Sequence, residues 1–166
     1  MERNLFKTNR KLSHLDLSYN QFKEFGKFDF NDLVAVTTLN LSYNQLKDLP
    51  RSIFGRVSQL RVLDLSGNRF KQIDSYMLRG VRFLKKFYAN HNLIKELTKN
   101  CFTSTTRVKI IDLSYNEMVD VETEIFKDMQ WLDLIDLSHN SITHLKKGTF
   151  QRMFKVIAKF IYSFIN

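Results

Sequence analysis

Cysteine occurs once in these 166 residues, at Cys101, so no disulfide can close within the chain. Proline also occurs once and glycine five times, with no Ser/Pro/Gly-rich stretch to link separate domains. No run of about 18 apolar residues is present, so a conventional membrane-spanning helix is not expected. The opening Met1-Glu-Arg-Asn-Leu-Phe-Lys7 lacks the apolar segment of about seven to fifteen residues that marks a secretory signal. A chain complete as written would be expected in the cytoplasm. There is no glycine-rich phosphate loop, cysteine cluster or paired-histidine motif, which leaves catalysis, metal binding and cofactors without a sequence signal. Acidic residues are scarce in the middle: residues 51–99 hold 11 Lys/Arg against 3 Asp/Glu, most of a net charge of +9. Such a patch favours an acidic protein, a sulfated glycan, an anionic membrane or nucleic acid, and charge alone does not choose among them.

What the chain does have is a period. Asparagine returns every 24 residues, at Asn20, Asn44, Asn68, Asn92, Asn116 and Asn140. Apolar residues at the first, fourth and sixth positions of each coil precede it, as in Val36/Leu39/Leu41 and Leu60/Leu63/Leu65. The alternating step reads as a short strand with one buried face. Stacked coils would pair these strands in parallel about 4.8 Å apart. The asparagine amide, both donor and acceptor, would satisfy backbone groups that the following turn leaves unpaired, and asparagine tolerates tight-turn backbone. A second row, Phe6, Phe30, Phe54, Leu78, Phe102, Phe126 and Phe150, would fill the outer side of each coil. A third, Phe25, Leu49, Ile73, Leu97, Val121 and Leu145, completes the core. A repeat of this length implies a stacked solenoid rather than a closed globule.

The frame L-x-x-L-x-L-x-x-N-x-L-x-x-L-x-x-x-x-F-x-x-L-x-x resembles the 24-residue typical subtype of leucine-rich repeat proteins. Its clearest copy runs from Val36-Thr-Thr-Leu39-Asn-Leu41-Ser-Tyr-Asn44 to Phe54. The resemblance implies an α/β solenoid: a right-handed horseshoe of six full coils with a parallel concave β-sheet and an irregular or short-helical convex side. Coils would start at residues 12, 36, 60, 84, 108 and 132. Residues 1–11 would be a partial coil, 12–155 the solenoid, and 156–166 a degenerate last coil or an apolar tail. The subtype is typical of extracellular or membrane-tethered proteins such as Toll-like receptors, insect immune repeat proteins and neuronal adhesion proteins. It implies a cell-surface or extracellular setting and innate immune or adhesive roles.

The frame is broken in places. The cysteine-rich caps usual in such ectodomains are missing, which suggests a fragment. A seventh asparagine would fall on Phe164, and Lys159 would occupy a core position. Exposed solenoid ends favour self-association, and the tail could fold over the last coil. A sharper alternative puts Phe160, Ile161 and Phe164 in a membrane surface with Lys155 and Lys159 at the headgroups. In the fourth coil Phe87 and Ala89 replace core leucines, and Thr103-Ser-Thr-Thr106 stands where an apolar residue is due.

Candidate partner-binding residues come from columns that repeat at the same coil position. Tyr19, Tyr43, Gly67, His91, Tyr115 and His139 form an aromatic-rich column suited to protein contacts. Asp16, Asn40, Asp64, Tyr88, Asp112 and Asp136 form another, followed by Ser18, Ser42, Ser66, Asn90, Ser114 and Ser138, both expected to be a solvated polar face, with Tyr88 a partner-binding candidate within it. Arg61, Lys85 and Lys109, with Lys86, form a basic column for an acidic partner, unless Asp64 and Asp112 merely compensate it. His91 and His139 stand two coils apart, too far to share a metal. Cys101 reads as a small core filler. Asn40-Leu-Ser42 is a glycosylation sequon of use only if the chain is secreted. The expected function is a non-enzymatic protein–protein interaction module that binds a protein ligand or co-receptor on the concave face. The second class is a binder of sulfated glycan or nucleic acid through the basic middle coils, with nucleic acid the less expected; an enzyme comes third.

Overall fold

The structure, a computed structural model, describes residues 5–151, 153 and 156–159. Three-residue strands recur at the predicted positions, β1 (His14–Asp16), β2 (Thr38–Asn40), β3 (Val62–Asp64), β5 (Lys86–Tyr88), β7 (Ile110–Asp112) and β8 (Leu134–Asp136), and a seventh, β9 (Ile157–Lys159), follows in the degenerate last coil. They form one seven-stranded parallel sheet in chain order. Register follows the sequence period, with Leu15 opposite Leu39, Leu39 opposite Leu63 and Leu63 opposite Phe87. The central residue of each strand therefore stacks into the core, and Leu39, Leu63, Phe87, Ile111 and Ile135 are fully buried. Leu15 and Leu17, in the first described strand coil, are only partly buried.

Each coil is tied to its neighbour by the asparagine. Asn68 Nδ2 contacts the carbonyls of Leu65 and Ser66 in its own turn and of Leu41 in the preceding coil, at 3.0, 3.2 and 3.0 Å. Its Oδ1 accepts the N–H of Leu46, again from the preceding coil, at 3.0 Å. Asn44, Asn92, Asn116 and Asn140 repeat the pattern. Asn20 is exposed, and among the described residues it bonds Leu17 and Ser18 of its own coil. The tight-turn backbone falls one residue earlier than expected. Tyr19, Tyr43, Gly67, His91, Tyr115 and His139 hold φ between 52° and 63°. That left-handed residue swings the chain so that the next side chain, the asparagine, points inward.

No helix forms among the described residues, so none is long and apolar enough to cross a membrane. The short-helical option for the convex side gives way to repeated turns, in which Val57 N–H donates to Phe54 O and Leu60 N–H to Val57 O. Each is a single turn, too short to nucleate a helix by itself. A second, two-stranded parallel sheet, β4 (Gln72–Ile73) with β6 (Glu96–Leu97), joins the third and fourth coils on the side following the asparagine. The phenylalanine row fills the convex half: Phe30 stacks on Phe54 at 6.3 Å, Phe102 on Phe126 at 5.8 Å and Phe126 on Phe150 at 6.1 Å. Leu78 interrupts it, and there Phe87 turns its edge to Phe102 at 6.1 Å. A larger Phe87 and a smaller Ala89 thus stand at core positions of the fourth coil, with Leu78 in the phenylalanine row of the coil before it, and register is kept. Thr105 takes the missing apolar place fully buried, its hydroxyl satisfied by Phe102 O at 3.1 Å.

The break at Lys159 is a slip of one residue. Leu134 pairs with Ile157 and Ile135 with Ala158, 23 residues on rather than 24, so Ala158 packs against the core where the strict period would put Lys159. The tail residues Lys155, Phe160, Ile161 and Phe164 lie outside the described residues.

Asn68→Asp removes every amide donation and turns a carboxylate toward three carbonyls. A loss of about 2–4 kcal/mol is expected in chemical denaturation, against less than about 1 kcal/mol for Asn20→Asp. Equal losses at the two positions would refute the inter-coil role of the amide.

Candidate functional site

The strand ends carry the most distinctive surface. Because residues 19, 43, 67, 91, 115 and 139 share one left-handed turn geometry, their side chains project from equivalent points along one edge of the long sheet. Tyr19 stacks on Tyr43 with centroids 4.5 Å apart and planes 8° from parallel. His91 stacks on Tyr115 at 4.3 Å and Tyr115 on His139 at 4.0 Å. All five rings remain exposed, Tyr19 by 75%. Gly67 divides the ridge into two stacks. A Cβ there would lie 2.6 Å from the Tyr43 ring, so the glycine lets Tyr43 lie against the backbone.

Beneath the ridge, the Asp/Asn column ends each strand. Asp64 Oδ1 accepts the N–H of Ser66 at 2.9 Å, and Asp16, Asn40, Asp112 and Asp136 do the same for Ser18, Ser42, Ser114 and Ser138. The Ser18 hydrogen bonds, with that of Asn40 adding less, lower the Asp16 carboxyl below its usual range. The serines were expected in solvent, yet Ser42, Ser66, Ser114 and Ser138 are buried. The left-handed residue that follows turns the chain over them. Asn40 in the sequon holds the Ser42 N–H at 3.0 Å, so both sequon residues serve the strand turn.

Tyr88, on β5, replaces an aspartate in this column and lies between Asp64 and Asp112 in register. Burial, then the charges of Asp64 and Asp112, raise its pKa above the ordinary tyrosine value. Asn90 stands in for serine and donates to Asp112 Oδ2 at 2.9 Å.

The basic column lies at the other end of the strands. Lys85 N–H donates to Arg61 O at 2.8 Å and Lys109 N–H to Lys85 O at 2.9 Å, which places the three on successive rungs. Lys86 lies beside them on β5. Among the described residues no ion pair joins them to Asp64 or Asp112, which cap the serine turns. Lys109 instead meets Asp133 at 3.5 Å. Thus the structure joins Tyr19 with Tyr43, and His91 with Tyr115 and His139, and sets these stacks at the opposite strand ends from Arg61, Lys85 and Lys109, while Lys86 shares the concave face of β5 with Tyr88.

Sequence reasoning missed two further columns. Lys23, Lys47, Lys71 and Lys95 recur after the asparagine turns, all exposed, with Lys95 paired to Glu117 at 3.6 Å and Glu24, Asp48 and Glu96 next in sequence to Lys23, Lys47 and Lys95. Phe83, Arg107 and Trp131 recur just before the coil starts, with the Arg107 guanidinium 5.8 Å from the Phe83 ring centroid. The same 24-residue spacing would have exposed both.

Among the described residues no group of three or more His, Cys, Asp or Glu side chains is arranged to hold a metal. A depression of about 360 Å³ lies between Lys95–Leu97 and Val119–Glu122. Two of its carboxylates, Asp120 and Glu122, are already engaged by Lys146 at 2.9 Å each. Cys101 is 1% exposed, and burial pushes its thiol from 9.0 up to about 12. Between those values the unfolded chain loses this proton and the folded one keeps it, so its linkage lowers stability as pH rises. A thiol reagent at about pH 8 should therefore label Cys101 only as fast as the chain unfolds. Rapid labelling of folded protein would contradict this burial.

A family profile described as Leucine rich repeat matches residues 1–46, 35–94 and 106–156. No curated protein gives a significant match. A chain in the structure of the Toll–Spatzle complex, a molecular hub in Drosophila development and innate immunity, aligns with a TM-score of 0.86 at 26% identity. The alignment covers 95% of this chain and 21% of that one, so this chain spans about one fifth of the matched structure's length.

Proposed function

This chain belongs to the leucine-rich repeat family, and on that premise we propose that it is a non-enzymatic module of an extracellular or membrane-tethered recognition protein, holding a protein partner on its concave sheet and aromatic rim. The single observation that carries this reading is the exposed ridge of stacked rings. Large amphipathic rings held in fixed positions bury much area on contact and lose little side-chain freedom, which is why such residues dominate binding energy at protein interfaces. Here each ring is already held by its neighbour and by a left-handed backbone, so a partner meets a preorganised surface. Tyr88 adds a hydroxyl donor in the middle of the sheet. The likeness to a chain of the Toll–Spatzle complex supports a receptor-type setting with a protein ligand and an innate immune or developmental role. The basic column at the far strand ends is not needed for this reading.

Purified Spatzle is the first probe, with binding followed by surface plasmon resonance. Tyr43→Ala/Tyr115→Ala, which breaks both stacks, should weaken a specific complex at least about tenfold while leaving the melting temperature within a few degrees. Binding unchanged by this variant, with the Tyr88→Phe variant also neutral, would remove the ridge and the concave sheet as the docking surface.

A further inference from the structure

Away from the ridge, the strand-start edge of the third and fourth coils carries a dense positive surface. Arg79, Arg82, Lys85 and Lys86 follow one another with no acidic residue between Asp74 and Glu96, and Lys99, Arg107 and Lys109 lie in the next acid-free stretch, which ends at Asp112. Arg61, Lys85 and Lys109 occupy successive rungs, so their charges repeat at the inter-strand spacing of about 4.8 Å. Of the edge cations Arg61, Arg79, Arg82, Lys85, Lys86, Arg107 and Lys109, only Lys109 has an ion pair among the described residues, to Asp133. Both partners of that pair are about half exposed, 48% and 56%, and such contacts hold little energy. Two exposed aromatic faces flank the cations: Phe83, 44% exposed under Arg107, and Trp131, 62% exposed at the same repeat position two coils on.

We propose that this edge is a binding site for a linear sulfated glycosaminoglycan. Like charges at strand spacing repel one another, and a polyanion laid across the rungs relieves that repulsion and releases its own counterions. The centre of the patch is built from Lys and Arg. Protein–protein interfaces exclude charge from their centres and are depleted in lysine, so an acidic protein fits this surface less well. A sugar chain needs no apolar centre: sulfates meet the cations, and the apolar ring faces of the sugars pack on Phe83 and Trp131. The site lies at the opposite strand ends from the aromatic ridge, so one chain could hold a glycan and a protein partner together. The biological setting rests on the extracellular reading above; the binding itself does not.

The test uses the purified chain and a heparin dodecasaccharide in isothermal titration at physiological ionic strength. Desulfated heparin of equal length, poly-glutamate and single-stranded DNA serve as comparators. Arg61→Ser/Arg82→Ser/Lys85→Ser should weaken heparin binding about tenfold or more. Lys23→Ser/Lys47→Ser/Lys71→Ser removes the same charge beyond the asparagine turns and should change it by less than about twofold. Trp131→Ala should weaken binding severalfold while leaving its salt dependence intact. All substituted positions are exposed, and unchanged thermal melts confirm folding. The proposal is overturned if heparin fails to bind, if both triple variants lose affinity equally, or if poly-glutamate or DNA binds as tightly as heparin. Spatzle binding retained by the Arg61/Arg82/Lys85 variant would separate this site from the ridge, whatever the heparin result.

Discussion

One side-chain amide per coil holds the stack together. Each strand is only three residues long, too short to make a stable sheet by its own ladder, and each coil has no core until a neighbour covers it. The asparagine amide bridges this weakness by bonding its own turn and the preceding coil at once. It sits beside the apolar rows, where an unmet carbonyl would cost most. Strand register, the buried serines and the projection of the aromatic ridge all follow from that anchored turn.

The fold was largely legible because packing in a solenoid is local in the repeat: a residue's environment is set by its position in the coil. Rows of Leu, Phe and Asn could be read in advance for that reason, and the 24-residue register of β1 through β8 agrees with them. Features that depend on backbone conformation were less visible. Nothing in the Ser-Tyr-Asn triplet says that the tyrosine takes the left-handed turn and the serine goes under it. The slip at Ala158 was hidden because a strict period cannot anticipate a coil one residue short. Exchange of volume among Phe87, Ala89 and Leu78 required knowing which side chains meet across coils.

The surface was legible column by column but not as surfaces. Tyr19 and Tyr43 could be placed in one column from the sequence; that their rings stack in parallel needs coordinates. In the solenoid five residues lie between the second coil position, which carries the basic column, and the eighth, which carries the rings, and the strand is among them. The acidic column, read from the sequence as a solvated polar face, is also a set of turn caps. Opposite strand ends can therefore carry unrelated chemistry on one scaffold.

The left-handed turns have a consequence for anyone engineering this scaffold. An aromatic or imidazole side chain on such backbone costs roughly 1–2 kcal/mol, and stacking with one neighbour returns about 0.5–1.5 kcal/mol. Tyr19 and His91, each with a ring on one face only, recover less than Tyr115, which has both faces covered. Substituting glycine or asparagine there would make a sturdier coil and a blank rim. Hardening the scaffold and sharpening its grip pull the same five positions in opposite directions.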